Sequence, residues 1–261
     1  MRISDSGIDT SRGTRPSKSR ILLLCVLAAS LIVNVALAIA LRHYYVALKV
    51  AAVEPTFARH FSRQDAAPGA AGGQPLIVLF GDSRIARWDP LPRAAGYVLL
   101  NRGIGGETTA QMLYRFEPDV LSLRPEVVIF QAGVNDLLAA ALVPESEARY
   151  QDNVVANLAH MVKQATSAGA KVILLTIVPP SSPPLWRRLV WSDRIPLLVT
   201  QTNRRLARLH APPLVHVIDT QGILQTREGA WKPDVTYDTL HLTSAGYAEL
   251  NRVVGDILVK R

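Results

Sequence analysis

The sequence predicts a doubly wound, flavodoxin-like α/β domain with a five-stranded parallel sheet, preceded by one transmembrane helix. Three observations carry that reading: one long uncharged run near the N-terminus, five short apolar runs further on, and amphipathic stretches of helical period between them. The uncharged run is Ile21–Leu41, ILLLCVLAASLIVNVALAIAL. At 1.5 Å per residue a helix of that length crosses a bilayer core of roughly 30 Å. Arg2, Arg12, Arg15, Lys18 and Arg20 precede it against Asp5 and Asp9. Basic residues beside a span stay cytoplasmic, so the remainder of the chain is expected to face outward, into a periplasm or the extracellular space. The alternative is secretion after cleavage of a signal peptide at the small-x-small pattern Ala36-Leu37-Ala38. The run exceeds the roughly 7–15 apolar residues usual in a signal peptide, which favours an uncleaved anchor. Cys25 falls inside the span and reads as a small apolar residue, since Leu24 precedes it.

Residues 42–74 begin compatibly with helix and end in QDAAPGAAGGQ, a composition that cannot bury much apolar surface. They read as stalk and linker, and His43 and His60 within them are assigned no chemistry. The expected organisation is therefore a basic tail at 1–20, a span at 21–41, a stalk and linker at 42–74 and a catalytic domain at 75–261.

The five apolar runs are Leu76–Phe80, Tyr97–Leu100, Val127–Gln131, Lys171–Ile177 and Leu214–Ile218. Most lack strict alternation, as strands buried on both faces do. Between them, Glu145–Ala168 places Tyr150, Val154, Leu158, Met161 and Ala165 at helical spacing, and Tyr247, Leu250, Val254, Ile257 and Leu258 form a second stripe. Thr243 stands where it would cap that last helix. Strands alternating with helices build a parallel sheet covered on both sides.

Composition excludes several functions. The single cysteine rules out a disulfide scaffold and a cysteine-based zinc site. The net charge of +8 resembles a nucleic-acid signal until it is apportioned: residues 75–261 hold 20 Lys and Arg against 17 Asp and Glu, so most of the excess lies in the N-terminal segment. That is no nucleic-acid footprint.

In open α/β sheets the functional crevice lies beyond the carboxyl ends of the strands. Gly81-Asp82-Ser83-Arg84 follows the first strand, NRGIGGET (Asn101–Thr108) the second, Gly133-Val134-Asn135-Asp136 the third, and Asp238-Thr239-Leu240-His241 comes in the long connection before the final helix. Acyl transfer by a serine requires a hydroxyl, an imidazole, a carboxylate to orient it and donors for the oxyanion. Ser83 is placed at a strand exit, with Gly81 permitting the turn. His241 is the base by elimination: His160 and His210 fall in predicted helices and His216 in a strand. Asp238, three residues earlier, is within one turn of its ring. Gly106 and Ser83 offer backbone N–H groups and Asn135 a side-chain amide.

In order and spacing these four blocks resemble the signatures of the SGNH subgroup of GDSL esterases and lipases, over residues 75–261. The resemblance implies an SGNH-hydrolase-like fold and a serine esterase with Ser83, His241 and Asp238 as triad, and with Ser83, Gly106 and Asn135 lining the oxyanion hole. It implies no cofactor and no metal. Two departures stand out: Arg84 replaces the family's leucine, where it would alter what the pocket accepts, and Glu107 stands where aspartate is frequent. Asp82 and Asp136 read as structural, and Arg102 as a surface residue in preference to a binder of an anionic substrate group. The expected substrate is a small-molecule, glycan or lipid acyl ester, with short acyl groups favoured. A lysophospholipase-like preference for long chains is the alternative, with Trp186 and Trp191 in the loop Pro179–Pro196 shaping the pocket or touching lipid, although aromatics that cover the core are the simpler account of them. Three other classes compete. A phosphate- or nucleotide-binding module lacks GxxxxGK[ST]. A metallohydrolase built on Asp82, Asp136, Asp238 and His241 would have one imidazole only. An inactive tethered binding module sits poorly with a complete set of catalytic residue types.

Overall fold

The computed structural model describes residues 17–53 and 73–259; the basic tail to residue 16, His60 and most of the linker lie outside the described residues. Helix α1 runs Lys18–Val53, 36 residues with no amphipathic face, so the predicted span continues as helix into the predicted stalk. Within it Lys18–Lys49 contains an 18-residue window of mean hydropathy 2.8, long and apolar enough for a membrane anchor or a signal sequence.

The α/β domain is built on five parallel strands: β1 Leu76–Gly81, β2 Val98–Gly103, β3 Val127–Gln131, β4 Lys171–Leu175 and β5 Val215–Ile218. Their order is β2-β1-β3-β4-β5. That order reverses direction between β1 and β3, the switch point at which such sheets open a crevice. Every residue of β1 and β3 is buried, which is why their sequences are continuous apolar runs.

Alternate strand residues feed two cores. On one face Phe80, Phe116 and Phe130 pack ring against ring with Met112, Val154, Leu158 and Met161. This core lies under α3 (Thr109–Asp119), α4 (Val134–Ala140), α5 (Glu147–Ser167) and α6 (Ile195–Leu206). On the other, Ile77, Leu79 and Ile129 meet Ile85, Trp88, Tyr247, Leu250 and Val254. These come from α2 (Ser83–Ala86) and its exit and from α8 (Ser244–Val259), with α7 (Thr220–Leu224) completing the layer. The stripes expected on α5 and α8 are buried as predicted, apart from the half-buried Tyr150 and Ile257. Thr243 accepts the N–H of Gly246 at 3.2 Å, as a helix cap does.

Three local expectations are corrected. β2 extends through Asn101-Arg102-Gly103, which the sequence assigns to the loop after it. Asn101 makes this possible by donating to the Ile85 carbonyl at 2.6 Å and accepting the N–H of Gly103 at 2.9 Å. His210 lies beyond the helical turns that follow α6, and its Nδ1 accepts the N–H of Val217 at 3.0 Å. Gly81 is required by space rather than by the turn: a Cβ there would lie 2.0 Å from the Gln131 carbonyl oxygen.

Candidate active site

Ser83 opens α2 directly after β1. Asp82 caps that helix by accepting the N–H of Arg84 at 3.0 Å, so the chain leaves the sheet abruptly and the serine stays half-buried at the crevice. The structure brings the residues of the fourth block to it: His241 Nε2 lies 3.0 Å from Ser83 Oγ. Its Nδ1 lies 2.7 Å from Asp238 Oδ2. The Asp238–His241 segment has no regular secondary structure and is shaped by Asp238 itself, whose Oδ1 accepts the N–H groups of Leu240 and His241 at 2.7 Å each. Burial alone would raise the Asp238 carboxyl, but the bonds from His241 and from these two N–H groups outweigh it and hold it below its ordinary value. A carboxylate kept ionised beside an imidazole is suited to stabilising imidazolium.

Asn135 opens toward the loop after β2, where its Nδ2 donates to the Glu107 carbonyl at 2.9 Å. Gly106 has φ of +79°, a conformation that disfavours any side chain and turns the loop at the proposed oxyanion donor. The Glu107 side chain is fully buried and paired with Arg115, which also reaches Asp119 at 3.0 Å. Asp136 accepts from Thr109 N and, at 2.7 Å, from Thr109 Oγ1, tying α4 to the start of α3. Asp82 and Asp136 thus occupy the structural positions expected of them. Among the described residues no three His, Cys, Asp or Glu side chains gather as metal ligands.

Two expectations fail. Arg102 is 3% exposed and not a surface residue. Arg84 is 1% exposed, and its Nε donates to the Leu240 carbonyl at 2.8 Å, so it lies beneath the loop and does not line a pocket. The sequence reading also missed residues that hold the His241 loop. Ser181 donates through its N–H to the Thr239 carbonyl at 2.9 Å and through Oγ to the Asp238 carbonyl at 3.1 Å. Tyr237 stacks on His241 with 5.8 Å between centroids and 15° between planes, and its hydroxyl accepts from Arg87 at 2.6 Å. An aromatic next to Asp238 was the one signal available for Tyr237. The side chain of Trp186 lies outside the described residues; Trp191 packs against the core, with the Arg187 guanidinium 5.0 Å from its ring centroid.

Fold and constellation together define the class of SGNH-hydrolase-like carboxylic ester hydrolases. The chain belongs to the GDSL-like lipase/acylhydrolase family, whose model matches residues 70–249. It is 33% identical over 120 residues to an uncharacterized lipoprotein of Bacillus subtilis, a match covering 40% of this chain and 48% of that one. Subunit alpha2 of human platelet-activating factor acetylhydrolase IB is 26% identical over 167 residues, 62% of this chain and 64% of that one. The chain thus spans 48% and 64% of the length of these two relatives. Among solved structures, a putative acylhydrolase of Bacteroides fragilis superposes with a TM-score of 0.58 at 26% identity, covering 76% of this chain and 96% of that one.

Full burial pushes the Asp82 carboxyl up to about 6 from 3.8, partly offset by Arg84. An acid whose pKa is raised on folding contributes stability that is complete below about pH 3.8 and lost as pH rises through about 6. Asp82→Asn, which keeps the capping oxygen, should therefore match the parent near pH 4 and exceed it by up to about 3 kcal/mol at pH 7. Denaturant unfolding across that range checks this; a pH-independent difference would contradict it.

Proposed function

We propose that the protein is a serine esterase acting on short acyl esters, acetyl above all, at the outer face of a membrane, with Ser83 as nucleophile, His241 as general base and acid, and Asp238 as the acid of the triad. The observation that carries this is the continuous line from Ser83 Oγ to His241 Nε2 at 3.0 Å and from Nδ1 to Asp238 at 2.7 Å. His241 takes the Ser83 proton as Oγ attacks the ester carbonyl carbon. The oxygen, now negative, is received by the N–H groups of Ser83 and Gly106 and the amide of Asn135. Collapse expels the alkoxide, which leaves with the proton from His241. Water then attacks the acyl-Ser83 carbonyl with His241 again as base, releasing the acid and restoring Ser83. No cofactor enters this cycle.

Two open hollows border the segment that carries His241, neither of them lined by Ser83, Gly106 or Asn135, so they bear on the alcohol part of an ester and not on its acyl group. One, about 510 Å³, is walled by Ser181, Ser182, Pro183, Pro184, Thr236 and Thr239. The other, about 340 Å³, is lined by Arg87, Asp89, Thr243 and Ser244, and Tyr237 borders both. Hydroxyls and a tyrosine face suit a hydroxylated alcohol such as a glycan better than a long hydrocarbon tail. The acetyl ester named for the human relative points to the acyl size proposed.

The location we propose is supported by α1 and the charges before it. We place residues 1–20 in the cytoplasm, 21–41 in the membrane, 42–74 as the tether and the domain from 75 onward outside. The lipoprotein relative supports an envelope setting.

Three results are expected. A fluorophosphonate probe should label the protein and lose its target in Ser83→Ala, while Asn135→Ala should lower kcat about 10²–10³-fold with KM little changed; labelling and esterase activity retained in Ser83→Ala would sink the reading. With p-nitrophenyl esters, kcat/KM should be higher for acetyl and butyryl than for dodecanoyl, and a steady rise with chain length would establish a lysophospholipase-like enzyme instead. A phosphatase fusion after Arg261 should be active only if that end faces outward, and a mature N-terminus near Ile39 would mean that the span is a cleaved signal.

A further inference from the structure

Arg84 follows the proposed nucleophile directly, and the reaction described above makes no use of it. Its guanidinium is fully buried and, because of that burial, its pKa is drawn below the ordinary arginine value. A buried cation is costly unless it is paired. The contrast with Arg115, which is equally buried, is informative: Arg115 has two carboxylates within ion-pair distance. Arg84 has no such ion pair among the described residues. Asp82, the nearest acid in its electrostatic surroundings, spends Oδ1 on the backbone N–H of Arg84 instead. Arg84 Nη2 is buried without a hydrogen-bond partner among the described residues. The guanidinium keeps one strong bond, from Nε to the carbonyl of Leu240, 156 residues away. A leucine, which the family resemblance leads one to expect here, would fill the space without burying a charge.

What that single bond reaches explains the arrangement. Leu240 lies between Asp238 and His241, in the irregular segment that carries both. Ser181 braces this segment from the loop after β4. Arg84 braces it from the short helix that carries Ser83 itself. The Arg84 backbone is in turn fixed from α8, where the Tyr247 hydroxyl donates to its carbonyl at 2.7 Å. We infer that Arg84 is a positioning residue for the catalytic base: it clamps the Asp238–His241 loop onto the nucleophile's own helix and thereby holds Nε2 within reach of Oγ. This rests on the serine-esterase reading of the site. A buried, under-paired charge retained for geometry should destabilise the fold while assisting the chemistry, so its removal should move stability and turnover in opposite directions.

The experiment compares the full-length, detergent-solubilised parent with Arg84→Leu, Arg84→Met and Arg84→Lys, reading Tm, kcat and KM on p-nitrophenyl acetate, and the rate of fluorophosphonate labelling at Ser83. The leucine and methionine variants should keep or raise Tm, hold KM within about twofold, and lose between about tenfold and a hundredfold in kcat, with slower labelling, as small misplacements of reacting groups do. Lysine, which restores a buried cation and donor, should recover part of kcat at some cost in Tm. Apolar variants that fold and turn over at the parental rate overturn the inference. So does a loss of activity that merely follows a loss of folded protein, or failure of both apolar variants to fold, because the arginine is then a structural residue. Ser83→Ala, run alongside, separates the two readings: if it retains labelling, the serine-esterase assignment falls, whereas parental kcat in Arg84→Leu with labelling still dependent on Ser83 removes only the role of Arg84.

Discussion

The buried guanidinium of Arg115 is the interaction on which the crevice depends. It arises on α3 and lies with its carbon 4.2 Å from the centroid of the Phe80 ring. From there it binds the Glu107 carboxylate twice, Asp119 at 3.0 Å, the Arg102 carbonyl at 2.9 Å and the Gly81 carbonyl at 3.4 Å. The carboxyl ends of β1 and β2, the loop after β2 and the body of α3 are therefore joined through one side chain. A fully desolvated charge tolerates little misplacement of its partners, because each lost bond leaves an uncompensated charge in low dielectric. The backbone of Glu107 is held at the same time by the Asn135 amide. The position of Gly106, one residue before, is thus fixed by a buried ion pair on one side and by β3's exit on the other.

The site divides into a rigid half and a tethered half. Ser83 and Asn135 stand at the exits of β1 and β3, which are buried throughout, and Gly106 follows the half-buried edge strand β2 in a loop held by the Glu107–Arg115 pair. Asp238 and His241 stand on a segment with no helix or strand of its own, and the Asp238 side chain is 40% exposed. Such a segment depends on specific bonds for its precision, with Leu240 packed against the core as its apolar anchor. Its bonds come from Asp238 itself, from Ser181 and from Arg84. Tyr237, stacked on the imidazole and bound through its hydroxyl to Arg87, limits the ring's rotation from the solvent side.

The legibility of the sequence followed the same division. Strands buried on both faces write themselves as LIVLF and VVIFQ, and helices with one buried face write a period near 3.6, so sheet and layers could be read from residue type alone. The three residues proposed as triad could be picked out because Ser83 stands at a strand exit and Asp238 and His241 share one loop, and the structure brings the three together. What could not be read was burial decided by distant backbone. Arg84 and Arg102 carry charges that sequence reasoning sends to the surface. Their actual places depend on contacts that no local pattern encodes, the Leu240 carbonyl in the case of Arg84. The extension of β2 through Asn101 was hidden for the same reason, since a polar residue continues a strand only when its amide finds partners such as Ile85 and Gly103. Gly81 reads in the sequence as a residue that permits a turn, whereas in the structure it is the close approach of β3 that excludes a side chain there.

The carboxylates around Ser83 show how one small volume can hold acids in different states. Burial raises Asp82 and Asp136, against the opposing effects of Arg84 on the first and of Thr109's hydrogen bonds on the second. Asp238, more exposed and supplied with three hydrogen bonds, is the one of the three held below its ordinary value. The difference is one of environment alone, since all three are aspartates. It gives the imidazole, on its Nδ1 side, the one carboxylate of the three whose ionised form the fold favours. Asp238 differs because its own side chain stays exposed while Thr239 and Leu240 after it turn inward. A more deeply buried acid would have followed Asp82 and been pushed toward its protonated form, a poor partner for an imidazolium.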